Sequence, residues 1–497
     1  MLFYNEDWIH FVQTRYRAGV PASKEALREY IYSLKGTQIT DFVMNVNGTV
    51  STAPSDIFET FADRYLLKEE NGDKVDYSDS FAKYAYELRE NGIDMYREWI
   101  SALNEIGINP WISIRMNDCH GSQFPHDIRK SKAVEEMADM HLAHYREREL
   151  YFDKCLDYSR SEVRQRMLGY IEEMLSRYDI YGLELDMMRN MHYFSCGFEK
   201  QGEQIMHQFI NSIYDLLCKY GEKYGHKIRL SLLMPPPPET AMEMGVNVFD
   251  LTDKIDCIVL IGRWQTTNTN MPIELWKQLL KGTDIKLGGG QQLFCRPSMK
   301  YKNVITSVKA AFGQAMANLS RGCDFVYLYN YMDEGELEGI GKELMYKDCI
   351  RNDENRPLIF NNIGKCETLL KQNRSHVVTF CDSEVYRKNS AILPLEYNEN
   401  STYIPIKIAV GEIPEKAEVK LLLGIDREIN PDSIKVYANS AECTYAGRVE
   451  LDPCICESPC YAFTVSKNLF NTIIAEVKIC EECLLEYLQI DINIKLT

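Results

Sequence analysis

The chain has 497 residues, too many for a single compact core, with 45% hydrophobic and 26% charged residues, so two or three globular domains are expected and a disordered or fibrous chain is excluded. Asp+Glu 73 against Lys+Arg 56 leaves a net charge of −17, which disfavours nucleic acid and anionic membrane as partners and favours neutral or small ligands. The N-terminal MLFYNEDWIHF lacks a basic segment followed by an apolar one, and no apolar run reaches the roughly 18 residues of a membrane span. The expectation is therefore a cytoplasmic protein.

In chain order, short apolar runs alternate with amphipathic stretches up to about residue 350. The runs are LFYN (2–5), TDFVMNVN (40–47), PWISIRM (110–116), YGLELD (181–186), IRLSLLM (228–234), CIVLIGR (257–263), IKLGGG (285–290) and FVYLYNY (325–331). Each is β-branched or aromatic and bounded by turn formers, as strands are. Between them SKEALREYIYSLKG, DMYREWISALNEIG, SEVRQRMLGYIEEMLSRY, GEQIMHQFINSIYDLLCKYGEKYG, MPIELWKQLLKG and YKNVITSVKAAFGQAMANLSRG carry helical spacing, and ETAMEMGVNVFDL carries it more weakly. Eight strand–helix alternations predict an α/β fold, a (β/α)8 TIM barrel over 1–360. The rival doubly wound sheet wants a glycine-rich turn after its first strand, and LFYNEDW has none. Residues 48–84 read as a long loop after the second strand, and Pro235–Pro238 as a stiff polyproline segment. From 365 to 497, HVVTFC, YIPIKIAV, AEVKLLLGI, SIKVYAN, CYAFTVS, TIIAEVKIC and YLQIDINIKL follow one another without a helix, which predicts an antiparallel β-sandwich.

Sixteen cysteines are scattered mostly singly in apolar segments, consistent with buried free thiols in a reducing compartment. Cys454, Cys456, Cys460, Cys480 and Cys483 are denser and could instead hold a structural zinc, although their spacing follows no strong pattern.

A barrel of this kind places its chemistry at the C-terminal strand ends. The fourth ends in YGLELDMMRN, where alternation puts Glu184 and Asp186 on one side, about 6–7 Å apart. Two carboxylates ending an apolar strand are costly to bury without use, and Arg189 can hold one of them ionised. A buried ion pair tying the strand to a neighbour is the plain structural alternative. The third strand ends in Arg115, Asn117, Asp118 and His120, suited to bonding sugar hydroxyls, with Asp118 a further carboxylate. Other polar strand ends are Asn45 and Asn47, Arg263 and Trp264, Gln291 and Gln292, and Tyr329, Asn330 and Asp333. Trp8 and Trp264 could stack on sugar rings. Asp118, His120, Asp186 and His192 could form a mixed metal site, but no HxH or HExxH spacing supports one.

The RMNDCH run, the DMYREWISALNEIGINPWISI segment before it and the block LDYSRSEVRQRMLGYIEEMLSRYDIYGLELDMMRNMHYF together resemble the bacterial family 10-like glycosyl hydrolases over roughly the first 350 residues. The resemblance implies a barrel acting on an oligo- or polysaccharide, with an accessory β-domain. True family 10 xylanases place a Glu on the seventh strand; IKLGGGQQL has none, so that chemistry does not carry over. The GLELD ending is also similar to the fourth strand of the α-amylase superfamily, which implies Asp186 as nucleophile and leaves Glu239 as the nearest counterpart of its acid. The expected activity is glycosidic cleavage by two carboxylates, with Asp186 as nucleophile or base and Glu184 ahead of Asp118, Glu239 and Asp333 as acid. Arg115, Asn117, His120, Arg189, Trp264, Asn45, Gln291, Tyr329, Asn330 and Asp333 are expected to bind the carbohydrate. No cofactor or metal is required. The alternatives are a non-catalytic carbohydrate-binding barrel and a metal-dependent hydrolase or lyase. The hydrolase requires Glu184 and Asp186 to project into a solvent-filled bowl.

Overall fold

The structure, a computed structural model, describes residues 1–71, 79–122, 124, 127–142, 154–262, 271–292, 294–295, 304–331, 349–350, 354–378, 393–453, 455–466 and 471–494. The barrel strands are β1 (Leu2–Asp7), β2 (Asp41–Asn45), β3 (Asn109–Arg115), β4 (Gly182–Asp186), β5 (Arg229–Met234), β6 (Cys257–Leu260), β7 (Lys286–Gln292) and β8 (Phe325–Tyr329). They close in the order β1-β8-β7-β6-β5-β4-β3-β2, so the eight runs read from the sequence are the eight staves. By compactness the chain divides into one unit of Phe3–Val259 and Leu280–Lys286, and another of Met1–Leu2, Leu260–Leu279 and Leu287–Thr497.

The first unit carries the helices α1 (Lys24–Tyr32), α2 (Phe61–Asn71), α3 (Asp79–Glu90), α4 (Met95–Ile106), α5 (Ser161–Arg177) and α6 (Glu199–Tyr224). Their ends are set by local chemistry. The Ser23 hydroxyl accepts from Ala26 N–H and Asp94 from Arg97 N–H, while α4 stops at Gly107, whose φ of 77° suits glycine. Tyr30 and Trp99 on α1 and α4 pack on Phe42 at 6.5 and 5.8 Å between ring centres. The excursion after β2 is not a plain loop. Phe61 and Tyr65, like Phe81, Tyr84 and Leu88, recur at helical spacing and form α2 and α3, whose Tyr65 and Tyr86 rings stack at 5.1 Å. Trp8 is 1% exposed and packs on Phe61 and Tyr84; it is a core residue and not a sugar platform. The proline run ends by starting a one-turn helix, Pro238–Glu243, with Pro at the position where no N–H is needed.

The second unit carries α7 (Ile273–Leu279), β7, β8, α8 (Val308–Ser320) and the C-terminal strands. These are β9 (Arg374–Val378), β10 (Leu395–Tyr397), β11 (Ile404–Ala409), β12 (Ala417–Ile425), β13 (Ile434–Ala438), β14 (Ala441–Glu442), β15 (Thr444–Val449), β16 (Cys460–Thr464), β17 (Thr472–Ile479) and β18 (Cys483–Ile494). One antiparallel sheet runs β9-β18-β12-β16-β15 with β10 also on β18; the other runs β11-β17-β13-β14. They share a core that includes Ile408, Leu421, Leu423, Val477, Leu488 and Ile490, which is the expected sandwich. Helix α8 lies against β9 so closely that a Cβ at Gly313 would sit 2.0 Å from the Ser375 carbonyl oxygen. Among the described residues no helix is long and apolar enough to cross a membrane.

Candidate active site

The register decides which side chains line the barrel. Across β1 to β5 the rows are Asn5–Val43–Trp111–Gly182–Arg229, then Asp7–Asn45–Ser113–Glu184–Ser231, then Arg115–Asp186–Leu233. Parallel neighbours share a face, and alternate residues of one strand share it too. Trp111 touches Phe3 of β1 across the intervening β2, at 5.5 Å between ring centres. It also covers Gly182, where a Cβ would lie 2.2 Å from its ring. The opposite face, with Phe42, meets the helices. Glu184 and Asp186 therefore project inward, together with Asn5, Asp7, Asn45, Ser113 and Arg115.

Arg115 organises the strand ends. One guanidinium nitrogen donates to Asp7 at 2.6 Å and another lies 3.7 Å from Asp118. Asp7 also accepts from Ile9 N–H, so it ends β1 and starts the next helical turn. Asp118, its side chain 1% exposed, accepts from the His120 backbone N–H at 2.7 Å and from His120 Nδ1 at 2.6 Å, and Arg189 Nε donates to it at 3.3 Å. Burial pushes this carboxyl up, but His120, Arg189 and Arg115 outweigh burial and hold it well below the usual carboxylate range. A carboxylate so held favours its ionised form, which speaks against Asp118 as the proton donor.

Asp118 Oδ1 is an acceptor 2.6 Å from His120 Nδ1 and so keeps a proton on that nitrogen, while one Arg189 guanidinium nitrogen lies 3.1 Å from Nε2 and 3.4 Å from Nδ1. Burial, with the charges of Arg189 and Arg115, lowers the His120 pKa against Asp118, which raises it. With side chains 34% and 23% exposed, His120 and Arg189 form the solvent-facing edge of the group. Asp186 Oδ1 accepts from the backbone N–H of Met188 at 2.9 Å and of Arg189 at 3.1 Å, which folds the turn after β4. Asn45 exchanges amide hydrogen bonds with Asn5 at 3.4 Å.

Several expectations need correction. Glu184 is 1% and Asp186 0% exposed; the pair points inward as expected but does not stand in a solvent-filled bowl. Asn117 is not available to a sugar. Its amide donates to the carbonyls of Leu156 and His192 at 3.0 and 2.5 Å and accepts from Leu156 N–H at 2.9 Å, tying two loops to β3. Gln291 faces α8, where it donates to the Ala311 carbonyl at 3.1 Å, so the inward residue at the end of β7 is Gln292. Glu239 is exposed on its one-turn helix. Tyr329 of β8 shares the inward phase of Phe325 and stacks on Tyr327, with 6.4 Å between ring centres. Asn330, at φ 44°, ends the strand in the left-handed region that Asn tolerates. Trp264, Arg263 and Asp333 lie outside the described residues.

Sequence reasoning missed Asp7. The apolar run LFYN ends at Asn5, yet the phase of Phe3 and Asn5 continues to Asp7, and that alternation is the available signal. A cavity of about 50 Å³ adjoins the cluster, lined in part by Phe58, Arg115, Asp118 and Arg166; Glu184 and Asp186 are not in its wall. Among the described residues no three His, Cys, Asp or Glu side chains converge as metal ligands. This covers the Asp118–His120–Asp186–His192 combination and the described members of the C-terminal cysteine group, Cys454 lying outside them.

No protein-family model and no curated protein matches the chain. Among solved structures the chain is similar to α-L-fucosidase isoenzyme 2 from Paenibacillus thiaminolyticus, with 12% identity and a TM-score of 0.39, over 66% of this chain and 45% of that one. It thus spans less than half the length of that fucosidase. It is also similar to the PgaB (BpsB) glycoside hydrolase domain from Bordetella bronchiseptica, with 9% identity and a TM-score of 0.42, over 66% of this chain and 93% of that one. A third is a family 18 N-acetylglucosaminidase from Paenibacillus barengoltzii, with 10% identity and a TM-score of 0.33, over 66% and 95%. These neighbours are glycoside hydrolases, but the likeness is too distant to carry an argument about this chain's chemistry.

Proposed function

We propose that the chain is a glycoside hydrolase that cleaves a glycosidic bond of an oligo- or polysaccharide with two carboxyl groups. One observation carries this reading: Glu184 and Asp186 share the barrel-lining face at the C-terminal end of β4, next to the Asp118–His120–Arg189 group. Asp186 is the carboxylate that attacks or stabilises the anomeric carbon. Glu184, on the same face of β4 as Asp186, protonates the leaving oxygen, whereas Asp118 is held ionised and Asp7 is held by Arg115. His120 and Arg189, at the exposed edge, meet the sugar hydroxyls. Glu184 and Asp186 are both closed to solvent in this structure, against the open bowl expected of a hydrolase, so substrate entry requires the groups that cover them to move aside. The family 10-like resemblance of the β3–β4 region supports the same reading, and the mechanism needs no cofactor.

The test is a panel of oligosaccharides with product analysis on the wild type and on Asp186→Asn. Asn keeps an oxygen for the Met188 and Arg189 N–H groups and so preserves the turn. The expected outcome is that the wild type releases product from at least one substrate and the variant loses at least about 10³-fold in turnover while still binding it. Full turnover by Asp186→Asn sinks the assignment. The second reading, a barrel that binds carbohydrate without cleaving it, is favoured by the closure of Asp186 and the fixed charge of Asp118. Saturable wild-type binding with no product from any substrate on the panel establishes it.

A further inference from the structure

Two sulfurs sit inside the candidate site, and the mechanism above uses neither. Cys119, between Asp118 and His120, is 2% exposed, and Cys155 is 0% exposed. Their Sγ atoms are 3.7 Å apart. The chain segments that carry them are already held in register by the neighbouring amide of Asn117, which donates to the Leu156 carbonyl and accepts from the Leu156 N–H. A disulfide needs an S–S distance of about 2.05 Å, so closure asks for about 1.7 Å of approach. Closure therefore requires side-chain rotation with a small backbone shift. Cys119 Sγ also contacts Asn190 Nδ2 at 3.1 Å. Asn190, at φ 56°, directly follows Arg189, so a sulfur drawn towards Cys155 leaves the residue next to the Arg189 clamp. The other close pair, Cys456 and Cys460, has its sulfurs 3.8 Å apart but lies only four positions apart in the chain. Bonding it fastens nothing distant, whereas Cys119 and Cys155 are 36 positions apart.

We infer that Cys119 and Cys155 are a redox pair whose disulfide fastens the turn after β3 to the segment leading into α5 and resets the Asp118–His120–Arg189 group. A small disulfide such as oxidised glutathione is a sufficient oxidant. The thiolate of one cysteine attacks it, forming a mixed disulfide and expelling one glutathione thiolate. The second cysteine then attacks the protein sulfur of that mixed disulfide and expels the other glutathione thiolate, and the two thiol protons pass to the released thiolates. The protein pair is oxidised by two electrons and the glutathione disulfide is reduced to two thiols. Both sulfurs are sealed from solvent, so glutathione reaches them only on local opening, and the hydrogen bond to Cys155 and burial push the Cys119 thiol up; exchange is slow and the equilibration must be long.

The test equilibrates the full chain in glutathione buffers of rising oxidised fraction, blocks remaining thiols under denaturing conditions and maps peptides by mass spectrometry. The expected result is a Cys119-to-Cys155 linked peptide lacking two hydrogens, reversed by dithiothreitol and absent from Cys119→Ser and Cys155→Ser. Finding both cysteines blocked as thiols at every ratio, carrying only glutathione, or a linkage confined to Cys456 and Cys460 overturns the pair. The second readout is the imidazole titration of His120 by NMR, assigned with His120→Gln. Its midpoint is expected to differ between the reduced and oxidised wild type and to ignore the buffer in Cys155→Ser; an identical midpoint in both forms overturns the resetting. Neither readout requires turnover, so failure of the glycosidase reading and failure of this one are separately visible.

Discussion

Strand β4 of the barrel and strand β12 of the sandwich both turn a dry face into a core, and they fill it with opposite chemistry. The core side of β12 is Val419, Leu421, Leu423 and Ile425, each 4% exposed or less. Every fully buried Leu or Ile there contributes about 1.5–3 kcal/mol by leaving water. The inward side of β4 is Gly182, Glu184 and Asp186, no more exposed than its counterpart. Withdrawing an ion from water costs several kcal/mol, and that cost has to be met by partners. The barrel supplies some through backbone N–H groups at Asp186 and through Arg115, His120 and Arg189 around Asp118 and Asp7. The sandwich shows that the chain can build a core without such groups. Their concentration at the strand ends of β1, β3 and β4 therefore calls for a reason other than stability.

The sharpest way to break the comparison is to neutralise one β4 carboxyl and shorten one β12 leucine. Glu184→Gln is expected to lower turnover by about 10²–10⁴-fold on natural glycosides. Substrates with an activated aryl leaving group need no proton and are expected to lose far less. Leu421→Ala is expected to leave turnover per folded molecule unchanged. Steady-state kinetics on both substrate types checks this; an equal loss on the two removes Glu184 from the acid role.

Stability sharpens the same contrast. Arg115→Met strips Asp7 of its 2.6 Å partner and Asp118 of one of its cations, and is expected to cost about 3–5 kcal/mol. Adding Asp7→Asn recovers part of that, because one of the charges left behind is gone. Leu423→Ala in the sandwich costs a similar ~2–5 kcal/mol through lost burial and a cavity, but no second substitution of a charge repairs it. Urea unfolding of the four proteins (wild type, Arg115→Met, Arg115→Met with Asp7→Asn, and Leu423→Ala) measures all three effects. A double variant no more stable than Arg115→Met refutes the ion-pair account.

The barrel and the sandwich were legible because their strands are short apolar runs bounded by turn residues, and the period-two pattern placed Glu184 and Asp186 on one face. The same pattern failed where its carriers were missing. Gly288, Gly289 and Gly290 have no side chains to set a phase, so the sequence could not tell Gln291, under α8, from Gln292. Asp7 was lost because the first strand was ended two residues early. The helices α2 and α3 carry apolar residues at helical spacing, but the polar stretch 68–80 between those residues gives the segment the composition of a loop. Asn117 and Trp8 show a different limit: residue type cannot reveal whether an amide is consumed by backbone or a ring by neighbouring rings.

Histidine tests whether the two regions also share something. His192, near the barrel site, has its pKa lowered to about 4 by burial. His376 on β9, 0% exposed, is lowered well below its ordinary value by burial and by Arg374. In both cases the folded chain prefers the neutral ring. The unfolded chain takes up a proton near pH 6.5, so each contribution is complete above that pH and declines as the solution is acidified, by at most about 1.4 kcal/mol per pH unit per group. The two differ in where the decline stops. For His192 it ends near pH 4, where the folded form also protonates; for His376 it continues below. Unfolding free energies measured from pH 7 to pH 3 are therefore expected to flatten between about 6.5 and 4 in His192→Gln, and across the whole range in His376→Gln. An unchanged slope in His192→Gln would show that its ring is solvated in the folded chain and that burial does not govern its titration.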